Sequence, residues 1–158
     1  MLFRGTSIDK VTPTGVAAPV SVSSLQFQRG VGVLNGAIDW GDLEQVAFEY
    51  GPDEPNDGID NDGDGFVDEG RIVHRLRVGT ADEQAIILCS DVLEILDGEI
   101  AGNLVDDNGN GLVDETGLAF DFESGRLNVR VTVGRLHPDG TPAVRTFVQA
   151  TAFRNYGS

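Results

Sequence analysis

Three features of this chain predict a mainly β fold with antiparallel pairing. Short stretches alternate apolar and polar residues with a period of two. Turn-forming Gly, Asn, Asp and Pro break the chain between them, with 21 glycines in 158 residues. Past residue 20 no uninterrupted stretch offers a helix more than about ten residues, short of what stands alone in water. A β-rich α+β arrangement is the one variant this pattern leaves open. With 40% hydrophobic residues the chain is long enough for one domain with a real core.

The elements follow in order. Residues 1–24 mix Thr, Gly, Pro, Val and Ser without period and read as an extended N-terminal arm or strand; 25–158 read as a single β-rich domain. In 45–50, Val46, Phe48 and Tyr50 share one face; in 71–78, Ile72, His74, Leu76 and Val78 do. The apolar run 84–89 has the look of a buried strand. Residues 118–122 and 126–135 form a hairpin across Glu123-Ser124-Gly125, with Leu127, Val129, Val131 and Val133 facing one way. His137-Pro138-Asp139-Gly140 turns the chain into a last alternating strand over 143–153.

Between these strands lie two acidic loops of matching internal spacing, at 57–70 and 106–116. The first reads Asp60-Asn61-Asp62-Gly63-Asp64-Gly65-Phe66-Val67-Asp68-Glu69, the second Asp106-Asp107-Asn108-Gly109-Asn110-Gly111-Leu112-Val113-Asp114-Glu115. Oxygen-bearing side chains on alternate residues, followed by a turning glycine, let a short backbone wrap a hard cation. Calcium takes six to eight oxygens at about 2.3–2.6 Å with tolerant geometry, whereas magnesium demands a tight octahedron and zinc wants Cys or His. Two calcium sites are therefore expected. Asp60, Asp62 and Asp64 are the first, third and fifth ligands, Gly65 makes the turn, and the Phe66 carbonyl takes the seventh place. Asp106, Asn108, Asn110 and the Leu112 carbonyl repeat those roles. The bidentate Glu that closes a helix-loop-helix site at place twelve is missing, since Arg71 and Gly117 stand there. Closure then falls to Asp68 and Glu69, to Asp114 and Glu115, or to residues elsewhere. Gly51, Pro52 and Pro55 exclude an entering helix, so these are strand-flanked loops. Asn108 and Asn110 replace carboxylates, which makes the second site the weaker one.

Charge agrees with this reading. Of 26 acidic residues, eight lie in 53–69 and four in 106–115, with no base in either segment, leaving 14 acids against 11 bases elsewhere. The acidity is local to the loops, and a nucleic-acid role would need a basic patch this chain lacks. Arg71, Arg75 and Arg77 form the one basic cluster, read as solvated or ion-paired. The single Cys89 forms no intrachain disulfide, and weak modular calcium sites suit the millimolar calcium outside the cytoplasm. A periplasmic or cell-surface location is expected; since Met1-Leu2-Phe3-Arg4 does not resemble a secretory leader, either a precursor carries one or the start at Met1 is internal to a longer chain.

Enzymatic readings fare worse. Cys89 in an apolar strand and His74 on an alternating one are better read as core residues than as a nucleophile and base. The paired carboxylates suit glycoside hydrolysis only if calcium does not occupy them. Gly30-Val31-Gly32-Val33-Leu34-Asn35-Gly36 misses the dinucleotide fingerprint by one residue and has no following helix. Trp40, a single aromatic, makes no carbohydrate platform and reads as core or rim. The chain is expected to be non-enzymatic, with no small-molecule substrate.

The order of pieces is familiar. Segments 45–50, 71–77, 84–92 and 126–133, ending in 145–155 with Arg154-Asn155, together resemble the globular domain of prepilin-type minor pseudopilins, most nearly the J-type subunit of type II secretion. That resemblance spans roughly residues 25–155. It implies an antiparallel sheet domain at the tip of a periplasmic filament, calcium that fixes loops, and other pilin-like subunits as partners. It also implies membrane contact only through a long N-terminal helix, which does not stand in this sequence. The alternative expectation is an extracellular filament or surface subunit whose arm, residues 1–24, adds a strand to another copy of itself.

Overall fold

The computed structural model describes residues 9–12, 20–123 and 125–152. They contain eight strands and no helix: β1 (Asp9–Thr12), β2 (Ser24–Leu34), β3 (Ala37–Tyr50), β4 (Gly70–Leu76), β5 (Gln84–Val92), β6 (Leu118–Glu123), β7 (Arg126–Leu136) and β8 (Pro142–Ala152). No helix of the described residues is long and apolar enough to cross a membrane. The mainly β expectation holds.

All pairings are antiparallel, in the order β1-β2-β3-β4-β5-β7-β6, with β8 added to β7. The sheet curls back on itself just before β2, where Val22 exchanges two backbone hydrogen bonds with Phe120 of β6, at 3.0 and 2.8 Å. Curling encloses one core: Leu25, Phe27, Val46, Ile72, Val92, Leu118, Phe120, Phe122 and Leu127. Each such side chain, fully removed from water, contributes roughly 1.5–3 kcal/mol.

The β2–β3 hairpin turns on Asn35 (φ 52°) and Gly36 (φ 81°), the left-handed pair that matches a two-residue turn to the twist of its strands. At the centre of β4, successive residues Ile72, Val73 and His74 are all buried. His74 accordingly needs a partner: its Nε2 lies 2.7 Å from Glu44 Oε2, and its ring stacks on Phe27. Arg77, at φ 56°, ends the strand run before Val78.

Two expectations are corrected. The apolar run of β5 is not buried: Ile86, Ile87 and Leu88 are 46%, 54% and 39% exposed. On its second edge β5 meets β7 only at Val92↔Val133, so the run lies where the sheet is uncovered, a circumstance an apolar run cannot announce. The alternation of β8 does not become an inside and an outside either, because β8 pairs with β7 alone and residues 145–150 are all exposed. Of the expected arm, the described stretch Asp9–Thr12 lies along Gln26–Arg29 of β2. Residues 1–8 and 13–19, Ser124, Phe153 and the Arg154-Asn155 pair lie outside the described residues.

Both acidic loops hang from ladder ends. Tyr50 pairs with Gly70, and Gly51 N–H donates to the Glu69 carbonyl, closing the base of loop 51–69. Ile95 bridges Thr116, Leu96 N–H donates to the Glu115 carbonyl and Gly117 N–H to the Glu94 carbonyl, closing loop 96–115. Gly70 is obligatory here: a Cβ would lie 2.2 Å from the Glu49 carbonyl oxygen.

Candidate metal centre

Backbone N–H groups shape each loop around its acidic side chains. In the first, Asp60 accepts from the amides of Gly63 and Gly65, Asp62 from that of Asp64, and Asp64 from that of Phe66. In the second, 46 residues on, Asp106 accepts from Asn110 and Gly111, Asn108 from Asn110, and Asn110 from Leu112. Gly65 and Gly111 both take the left-handed turn, at φ 94° and 91°. Local bonds of Asp and Asn to amides two or three residues on are what these side chains do best, which is why the repeat was legible.

Asp68 and Asp114 bond the backbone of their own loops. Each sits at positive φ, 53° and 51°, with its carboxylate turned to the loop's first amides. Asp68 accepts from Asp57 and Gly58, Asp114 from Asn103 and Leu104. These are charge-assisted clasps that tie the end of a loop to its beginning. The Phe66 ring packs where any Cβ on Gly134 would be. Leu112 is buried.

Two glutamates complete the frame that the motif did not announce. Glu54, 3% exposed, accepts from Asp62 N–H, and Glu99 accepts from Asn108 and Asp114 N–H. They precede Asp60 and Asp106 by six and seven residues. That near-match of the two repeats, upstream of the motif, was the signal available.

At the first loop, five carboxylates converge in two overlapping groups: Glu54, Asp60 and Asp62, and Asp62, Asp64 and Glu69, each offering oxygens within 4.8 Å of one another. Glu69 is buried, and burial, together with Asp64, Glu54 and Asp62, pushes its carboxyl up to about 7. Glu54 Oε2 and Glu69 Oε2 are buried with no hydrogen-bond partner. A buried, unpartnered carboxylate oxygen among other carboxylates is costly, and a cation is what would offset it.

The second loop solves the problem differently. Glu115 is fully buried and its carboxyl is raised by burial, but Asn110 Nδ2 donates to its Oε1 at 2.6 Å. The amide standing in for Asp64 thus supplies internally part of what an ion would supply. Glu115 Oε2 still lacks a partner. Among the described residues no triple of acidic, His or Cys ligands forms there, since two of the three alternate positions are amides.

Tyr50 links the first loop to the base of the second: its hydroxyl donates to Glu94 Oε1 at 2.8 Å and accepts from Asn56 Nδ2 at 2.7 Å. Away from the loops, the ladder sets Cys89 opposite Ile72 and His74 opposite Ile86, and burial pushes the Cys89 thiol up, away from the thiolate a nucleophile needs. The basic cluster is ion-paired in part: Arg75 with Glu49 and Glu83, Arg71 with Glu49. No protein-family model, curated protein or solved structure matches this chain.

Proposed function

We propose that this chain is a non-enzymatic structural subunit whose strand-flanked loops are fixed by calcium outside the cytoplasm. The observation that carries the reading is the pair of buried glutamate oxygens, Glu54 Oε2 and Glu69 Oε2, left without partners where Asp60, Asp62 and Asp64 gather. Hard oxygen donors, no Cys or His among them, and a flexible loop suit calcium over zinc or magnesium.

Binding would work by ordering. A loop of about ten residues costs roughly 1–2 kcal/mol per residue in backbone entropy to fix. An ion that binds only the ordered loop stabilises the fold by RT ln(1 + [L]/Kd), about 2.7 kcal/mol at a hundred times Kd. The test is a thermal melt with calcium against one with excess EGTA, alongside amide exchange. Chelation should lower Tm and release 53–70 first; an unchanged melt would defeat the reading.

The narrower proposal, the head of a minor pseudopilin, is supported by the resemblance of strand order. It is tested by co-purification with pilin-like subunits in calcium, and by loss of that association on chelation. One observation favours the strand-adding alternative. β1 is a four-residue strand laid on the β2 edge through Asp9↔Arg29 and Thr12↔Gln26, so an N-terminal segment of this chain already uses that edge. A second copy's β1 on the same edge would give a swapped dimer, visible by sedimentation.

A further inference from the structure

We propose that the first loop holds two calcium ions bridged by Asp62, and that the second loop holds one. This deepens the calcium reading and rests on it.

Two oxygens bound to one calcium lie at most about 5 Å apart, twice a bond of 2.3–2.6 Å. Glu54, Asp60 and Asp62 meet that limit among themselves, as do Asp62, Asp64 and Glu69, but the five form two groups and not one. Asp62 is the shared member. A shared carboxylate at the junction of two triads is the arrangement that lets paired metals sit about 3.5–4 Å apart.

Each triad carries its own buried carboxylate oxygen without a partner. In the first it is Glu54 Oε2, on a residue 3% exposed; in the second it is Glu69 Oε2, on a residue 7% exposed. One ion placed in either triad would leave the other orphan as it is. Glu54, Asp62 and Glu69 also line one cavity of about 190 Å³ together with Arg71 and Asp91, so space exists beside the bridging residue. Charge points the same way. Three of the five, Glu54, Asp62 and Glu69, line that cavity with one guanidinium, that of Arg71, and a single divalent ion would leave part of the charge of the five uncompensated.

The second loop keeps one buried oxygen without a partner, Glu115 Oε2, and lacks the other requirements. Asn108 stands where Asp62 would bridge, and a neutral amide oxygen is a poor bridge between two cations. Asn110 replaces Asp64 and donates to Glu115. Both oxygens of Glu99, the counterpart of Glu54, accept backbone N–H groups.

Native mass spectrometry of the full chain titrated with calcium counts the ions directly. Three per chain is the expected saturation, falling to two in Asp62→Asn, which keeps an oxygen to accept the Asp64 amide. Saturation at one in the unaltered chain, or at two of which Asp106→Ala loses one, overturns the bridged pair while leaving the calcium reading intact, and no bound calcium overturns both. Three ions retained by Asp62→Asn would remove Asp62 from the bridging role. Glu54→Gln and Glu69→Gln supply the second check, each expected to lose one ion.

Discussion

In the absence of calcium this protein should be more stable in acid than at neutral pH, the reverse of the usual behaviour of a carboxylate-rich fold. The reason is Glu69, buried among Asp62, Asp64 and Glu54, whose carboxyl is raised from 4.5 to about 7. Between those values the folded chain holds a proton that the unfolded chain has released, so stability falls as pH rises through that window and stays low above it. At about 1.4 kcal/mol per unit, a shift of that size amounts to on the order of 3 kcal/mol. Glu115, also raised by burial, adds in the same direction. The assay is urea unfolding of metal-stripped protein at pH 5 and pH 8, with and without added calcium at pH 8. Glu69→Gln, neutral at both, should flatten most of the difference, and calcium should restore stability at pH 8 by binding the ionised form. A metal-free protein at least as stable at pH 8 as at pH 5 would refute the argument, because it would mean that Glu69 ionises in the folded chain without penalty.

Two further outcomes follow from the loop frames. Asp60→Ala and Asp64→Ala should each remove more of the calcium-dependent rise in Tm than Asp106→Ala, since ligand charge tunes affinity; the opposite ranking would count against charge as the cause. Asp68→Ala should cost roughly 1–3 kcal/mol in calcium and EGTA alike, because it strips the amides of Asp57 and Gly58 of their acceptor, while calcium stoichiometry by titration calorimetry stays the same. A lost ion would make Asp68 a ligand after all.

The alternating strands were legible because period-two patterning is a direct print of a half-covered sheet, as with Val46 and Ile72. The β2–β3 hairpin was equally present in Leu34-Asn35-Gly36-Ala37 but is masked by the glycine-rich stretch around it. The exposure of Ile86 and Ile87 was not legible, because it depends on β5 parting from β7 after one paired residue, a tertiary event with no local signature. At the candidate metal centre, Asp60, Asp62 and Asp64 announce themselves through fixed spacing and local amide bonds. Glu54 does not, since it reaches back across the loop to the Asp62 amide. Asp68 and Glu69 are adjacent and chemically alike, and only positive φ at Asp68 sends one to the loop's first amides while the other is buried against the carboxylates.

The hydrogen bonds that close the two loop bases have a mechanical consequence. Gly51 to Glu69, Leu96 to Glu115 and Gly117 to Glu94 join the strands directly beneath each loop. Tension applied along the chain passes across those short rungs and bypasses the acidic segments 51–69 and 96–115, which hang as slack. Under load the chain would therefore keep its length whatever the loops hold, and would yield where the rungs themselves unzip.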